Sequence, residues 1–129
     1  MLRKIAAVII ENRKILLVRE KDHDFFMMPG GVVEGGETDE ENLRRELFEE
    51  LRVIPVKSEF LGSAMSRMND GRELKVDFCL VKYSGTPEPS SEIEDFAFIN
   101  SGYKSGGVKI TKTVEDFLIP KLVGMDLID

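Results

Sequence analysis

The chain has 129 residues, 42% of them hydrophobic and 33% charged, with a formal net charge of −6 at pH 7. That length suits a single domain over 1–129 with a core that needs no disulfide or metal support, and the composition excludes a disordered chain. The acidic excess argues against a general nucleic-acid-binding surface, and the lone cysteine, Cys79, has no partner for an internal disulfide.

The first apolar run, Ile5 to Ile10, is six residues long and gives way to Glu11-Asn12-Arg13-Lys14 before Ile15 to Val18. It is too short for the core of a signal peptide, and no later run approaches a membrane span. A first hairpin and a cytoplasmic protein are therefore expected. Lys21 to Asp24 reads as a polar loop and Phe26 to Val33 as a short strand. Thr38 followed by Glu41 is a capping box, which starts a helix predicted over Asp39 to Leu51. A long strand is expected within Val53 to Arg67, then a turn at Asn69-Asp70-Gly71. From Leu74 to Tyr83, Leu74, Val76, Phe78 and Leu80 alternate with Lys75, Asp77 and Cys79, which is again a strand, with Cys79 as a small buried hydrophobe. Ser84 to Ser91, with Pro87 and Pro89, reads as an irregular loop and Phe96 to Ile99 as a last strand. Past Gly102, Gly106 and Gly107 a second helix is predicted near Thr113, with Val114, Phe117, Leu118 and Leu122 on its apolar face and a kink or break at Pro120. Strands on both sides of one helix, with another helix at the end, define an α+β class.

Chemistry concentrates between Gly31 and Val53, in GVVEGGETDEENLRRELFEELRV. On a helix Glu46 and Glu50 lie about 40° apart and Glu49 about 60° to the other side of Glu46, so three carboxylates share an arc of about 100°. Like charges that close repel. A divalent cation removes the conflict, and oxygen donors with no cysteine or second histidine nearby favour Mg²⁺ or Mn²⁺ over zinc. A single pair of glutamates is ordinarily a solvated helix face. Here Leu43, Leu47 and Leu51 make an apolar stripe beside the acidic arc, and Pro29-Gly30-Gly31 and Gly35-Gly36 form a glycine-rich approach to it.

This stretch resembles the signature box of the Nudix hydrolases, GX5EX7REUXEEXGU, where U is a bulky aliphatic residue. Gly31, Glu37, Arg45, Glu46, Leu47, Glu49, Glu50 and Val53 match, eight of the nine specified positions. The run Phe25-Phe26-Met27-Met28-Pro29-Gly30-Gly31 resembles the strand that enters the box. Arg52 is the departure: the family places a glycine there, which ends the helix in a left-handed conformation. Arginine must adopt that conformation at a cost of about 1 kcal/mol or let the helix end differently.

The resemblance implies an α/β/α sandwich with a mixed β-sheet between helices, and metal-dependent hydrolysis of a pyrophosphate bond in a nucleoside diphosphate linked to another group, in the MutT manner. It implies Glu46, Glu49, Glu50 and the Gly31 carbonyl as ligands of Mg²⁺ or Mn²⁺, and Glu46 or Glu49 as the general base with Glu92 or Glu94 behind them. It favours an Arg45–Glu37 ion pair tying loop to helix over a direct phosphate contact by Arg45. Arg19 matches a phosphate-contacting position of MutT-type members. His23, Phe25, Phe26 and Phe78 are candidates for touching substrate, with core packing the weightier role for the phenylalanines. No secure equivalent of the base-reading asparagine stands near Glu115, and the patterns of the NADH, ADP-ribose and coenzyme A subfamilies are not found. The expected partner is a small nucleotide, with no membrane and with the protein a monomer or homodimer. Two alternatives stay open: a hydrolase of another conjugate such as a nucleotide sugar, or a silent Nudix-fold module that binds a nucleotide and regulates a partner. The four box carboxylates weigh against the second.

Overall fold

Seven strands and two short helical layers account for the alternating and 3.6-residue patterns in the computed structural model, which describes residues 1–129. Strand β1 spans Leu2–Val8, β2 Ile10–Glu11, β3 Lys14–Glu20 and β4 Gly30–Val32; helix α1 spans Asp39–Leu51. Strands β5 (Ile54–Arg67), β6 (Glu73–Ser84) and β7 (Ile93–Ile99) follow, and after a 3₁₀ turn at Tyr103–Gly106 the chain ends in a π-helical turn, Val114–Leu118, that runs into α2, Ile119–Gly124.

Four strands form a mixed sheet in the order β4-β1-β6-β5, where β1 and β6 run parallel and the other neighbours antiparallel. The remaining three form an antiparallel sheet, β2-β3-β7. Strand β1 is covered on both sides, which is why Ile5 to Ile9 is an unbroken apolar run. Ala6 and Val8 pack in one core with Val114, Leu118 and Leu122, whereas Ile5, Ala7 and Ile9 pack in the other with Leu43, Leu47 and Leu51. The α/β/α sandwich is as expected, with the sheet divided in two.

The first hairpin forms with a sheet change built into it. The chain leaves the mixed sheet at Ile9, whose carbonyl accepts from the Leu16 amide at 2.9 Å, and the turn proper joins β2 to β3. Asn12 and Arg13 both take positive φ there, 51° and 61°, the twist a two-residue hairpin requires. Arg13 is held in it by ion pairs of 2.7 Å to Asp126 and to Asp129, which tie the C-terminal segment to the turn.

One strand expectation shifts, and the break expected at Pro120 takes the form of a change of helix type. The strand predicted over Phe26 to Val33 shrinks to Gly30–Val32, with Phe26 and Met27 in isolated bridges; Pro29 has no N–H to donate, and its carbonyl instead accepts from Ala7 at 2.9 Å. The predicted second helix divides before Pro120. Ile119 donates to the Val114 carbonyl five residues back, and the α-helical turns restart with Pro120 in the first turn, where its missing N–H costs nothing. Cys79 is half-buried rather than sealed. No helix is long and apolar enough to cross a membrane.

Candidate functional site

Helix α1 is fixed in register at both ends. Thr38 accepts from the Glu41 amide and Glu41 accepts from the Thr38 amide, each at 3.1 Å, so the capping box is complete. At the other end Arg52 is left-handed, with φ 57° and ψ 28°. The Ser84–Ser91 loop completes that end: the amides of Ser90 and Glu88 bond the carbonyls of Glu50 and Leu51 at 3.0 Å. The Arg52 guanidinium donates to Ser90 Oγ at 2.9 Å and lies over the Phe48 ring at 4.9 Å. The residue that departs from the box thus keeps the backbone conformation of the glycine it replaces.

With Leu43, Leu47 and Leu51 buried against the sheet, the acidic arc faces Gly30 and Gly31. Arg45 organises it. Its Nε donates to Glu37 at 2.7 Å and its Nη1 to Glu46 at 2.9 Å, and Glu34 and Glu49 approach the same guanidinium at 3.7 and 3.6 Å. The Arg45 contact, first among several hydrogen bonds, draws the Glu37 carboxyl down to about 2. Buried Asn42 extends the tie by donating to Glu37 and to the Val32 carbonyl, both at 3.1 Å. Loop, helix and β4 are joined through this trio.

Glu50 sits in a different environment. Both its oxygens accept from the Gly30 amide at 3.1 Å. Burial nonetheless pushes its carboxyl up to about 8, against the opposing pull of that amide and of Lys4. Burial also raises Glu46, with Arg45 pulling the other way. No three acidic, histidine or cysteine side chains converge into a preformed cage for a cation: Arg45 draws Glu46 and Glu49 toward itself, so the guanidinium carries part of the neutralising role the sequence reading gave wholly to a metal. The donors still fit a hard divalent cation, being carboxylate oxygens beside the Gly31 backbone. Any Cβ at Gly31 would collide with the Glu46 carboxylate, so only glycine lets that carboxylate lie against the strand.

Beside this acidic edge opens a cleft of about 490 Å³, lined by Lys4, Glu20, His23, Phe25, Gly30 and Gly31 and closed by Ser66–Asn69 and Thr111–Val114. A smaller recess of about 170 Å³ shares Gly30 and Glu20 with it and is edged by Glu46, Glu49, Glu50 and Glu92. Glu92 therefore stands with the box glutamates, while Glu94 lies 3.6 Å from Arg19. Arg19 corrects the sequence reading. It donates to the His23 carbonyl at 3.1 Å and does not line the cleft, whereas Glu20, the next residue along β3, does; the β-bulge at this point leaves Glu94 of β7 as the extra residue. The cation facing that cleft floor is Lys4, whose ammonium is near Glu50, Glu20 and Glu46 and is pulled below its ordinary pKa by burial. Neither Lys4 nor Glu20 is singled out by the sequence, because their meeting depends on how β1 and β3 are placed. Phe25 lines the cleft, stacked on His23 at 4.8 Å; Phe78 forms its buried floor and Phe26 is outside it.

A box helix laid across a mixed sheet, its carboxylates turned to a glycine strand, defines a Nudix-type sandwich. The chain belongs to the Nudix family: the NUDIX domain matches residues 1–101. An ADP-ribose pyrophosphatase of Methanocaldococcus jannaschii is 33% identical over 101 residues, 74% of this chain. The match covers 60% of that protein's length. Among solved structures, the MutT protein of Methanosarcina mazei Go1 superposes with a TM-score of 0.81 at 17% identity, over 96% of this chain and 94% of that one. The E. coli ORF135 protein superposes with a TM-score of 0.79 at 24% identity, over 98% and 91% of the two chains. At those identities the superpositions speak for the fold.

Proposed function

We propose that this chain is a divalent-cation-dependent pyrophosphohydrolase acting on a nucleoside diphosphate linked to a further group, with nucleoside triphosphates as the first substrates to consider. The observation that carries the reading is the shared wall at Gly30: the carboxylates of Glu46, Glu49 and Glu50 border one recess, and a mixed apolar and polar cleft opens on its other side. A pyrophosphate in the recess would leave its nucleoside to the cleft, which Phe25 and Phe78 make apolar.

Glu46, Glu49, Glu50 and the Gly31 carbonyl would hold Mg²⁺ or Mn²⁺, whose chemistry is to neutralise phosphate oxygens and acidify a water. The chain's own part is positional. Glu37 and Asn42 hold Arg45, and Arg45 keeps Glu46 and Glu49 at the recess. Water attacks a phosphorus of the anhydride, the bond to the bridging oxygen breaks, and one carboxylate keeps the proton released by that water. Glu46 and Glu49 are the candidates for this base, with Glu92 behind them. The reading takes residues 1–129 as one Nudix domain working in the cytoplasm on a small nucleotide.

A second substrate reading has its own support. The Methanocaldococcus relative is an ADP-ribose pyrophosphatase, and ADP-ribose carries the same diphosphate between two ribosyl groups. The test for both is a phosphate-release screen of the purified protein with Mg²⁺, coupling inorganic pyrophosphatase for triphosphates, which release pyrophosphate, and a phosphomonoesterase for diphosphate conjugates, whose products are monoesters. Turnover of a nucleoside triphosphate is expected; turnover of ADP-ribose alone selects the second reading, and no turnover of any diphosphate leaves the silent binding module.

A further inference from the structure

Along β1 the even positions Leu2, Lys4, Ala6 and Val8 share one face of the strand. Leu2, Ala6 and Val8 pack in or against the core that Val114, Leu118 and Leu122 complete, and Lys4 is the one charge in that row. Its neighbours across the sheet, Val32 on β4 and Val76 on β6, are apolar too. An aliphatic side chain at position 4 would continue the row. An ammonium held out of water there costs free energy unless an anion meets it.

No anion of the chain does. The Lys4 ammonium has three N–H groups to give, and its one hydrogen bond is a long one, 3.4 Å to the Met28 carbonyl. Glu50, Glu20 and Glu46 act on it through space, all from beyond the 4.0 Å of an ion pair. The arginines of the same region are engaged by contrast. Arg3 meets Asp39 and Asp77 at 2.6 and 3.0 Å, and Arg45 meets Glu37 and Glu46 at 2.7 and 2.9 Å. Lys4 lines the cleft together with Gly30, and Gly30 also borders the acidic recess. The uncommitted ammonium therefore stands where the two spaces meet.

We propose that Lys4 is a substrate-contacting residue, its ammonium donating to non-bridging oxygens of the diphosphate as it passes from recess to cleft. The inference rests on the pyrophosphohydrolase reading and adds to it a cation of the chain's own, on the side of the diphosphate away from Arg45. Lys4 binds and orients the anhydride there, while the carboxylates of α1 keep the metal and the water.

Calorimetric binding of methylenediphosphonate to the full chain with Mg²⁺ tests this, since the probe mimics a diphosphate with no nucleoside and no cleavable bridge. The wild type should bind it, and Lys4→Met should bind it about 10- to 100-fold more weakly, as loss of a charge-assisted bond does. Binding of Mn²⁺ alone, followed by its electron paramagnetic resonance signal, should hold or tighten in Lys4→Met, because a positive charge leaves the neighbourhood of the carboxylates. A lysine with only a structural role would weaken both when removed. Lys4→Gln, uncharged and close in length, carries the same expectations should circular dichroism show that Lys4→Met does not fold. A wild type that binds Mn²⁺ but not the probe would overturn the phosphate reading of the recess together with this one. Probe affinity equal in wild type and variant, or loss of Mn²⁺ and probe together, would overturn the role of Lys4 alone.

Discussion

Helix α1 and the C-terminal helical segment cover opposite faces of the same sheet, and they were built under different constraints. Helix α1 is capped at both ends, has its carboxylates locked by Arg45, and keeps one register over 13 residues. The segment from Val114 to Gly124 has no side-chain cap at its start and spends its first turns in a π-helical arrangement. Such turns are rare and concentrate at functional sites. Thr113 and Val114 at the head of this segment line the cleft, as Gly30 and Gly31 do opposite. The contrast suggests a division of labour: α1 supplies rigidly placed charge for the reaction, and the cleft walls supply the shape that selects the nucleotide.

The largest effects should come from the acidic side. Removing divalent cations with excess EDTA should abolish hydrolysis. Glu49→Gln and Glu50→Gln should each lower kcat about a hundredfold or more while the circular dichroism spectrum stays native, since the amide removes charge and little volume. Wild-type rates in both variants would remove the chemistry from α1 and end the proposed division.

Next in size is the lock itself. Arg45→Ala and Glu37→Ala should each cost about 10- to 100-fold in activity, as loss of a residue supporting ligands does. The double variant should cost little more than either alone, because both remove the contact at 2.7 Å. Additive losses would instead place Arg45 on the substrate.

The opposite wall should answer differently. Phe25 lines the cleft, and loss of an aromatic surface against a base is worth about 1–3 kcal/mol. Phe25→Ala should therefore raise KM about tenfold with kcat little changed. A fall in kcat at constant KM would show that cleft and recess do not act separately.

A smaller effect concerns stability in the metal-free protein. Burial lifts Glu50 to about 8, above its unfolded value of about 4.3. A carboxyl raised on folding contributes stability fully below its unfolded pKa and loses that contribution as pH rises through its folded one. Under chelation the melting temperature should thus fall as pH rises toward 8, and Glu50→Gln should flatten the fall. An identical slope in the variant would assign the pH dependence elsewhere.

How much of this was legible in the sequence follows from how local each signal is. Helix α1 was read with its observed ends because Thr38 and Glu41 cap it within four residues and its leucines repeat every fourth position. The Arg45–Glu37 pair belongs to the same short stretch. The cleft was not legible, because Lys4, Glu20, Phe25 and Thr113 come from four separate segments. Arg19 was singled out by a position match alone, and its contacts with the His23 carbonyl and with Glu94 come from other segments that such a match does not carry.

The smallest effect tests the seam between the box and the rest of the chain. Arg52 holds φ 57°, so Arg52→Gly relieves left-handed strain of about 1 kcal/mol. Three terms oppose the gain. Glycine adds freedom to the unfolded chain, the bond to Ser90 is lost, and so is the stacking over Phe48, an exposed cation–π contact of about 0.5–1 kcal/mol. Gain and losses nearly cancel, and stability by urea unfolding should change by less than about 1 kcal/mol with kcat unaltered. Arg52→Val separates the terms: it loses the same two contacts, and its β-branch resists the left-handed conformation. It should be the less stable of the two variants. If valine instead matches glycine, the side-chain contacts and not the backbone conformation hold this helix end. A fall in kcat for Arg52→Gly at full stability would mean that the Ser90 bridge helps to position Glu50 and Glu92, and the rigid end of α1 would then extend into the loop that caps it.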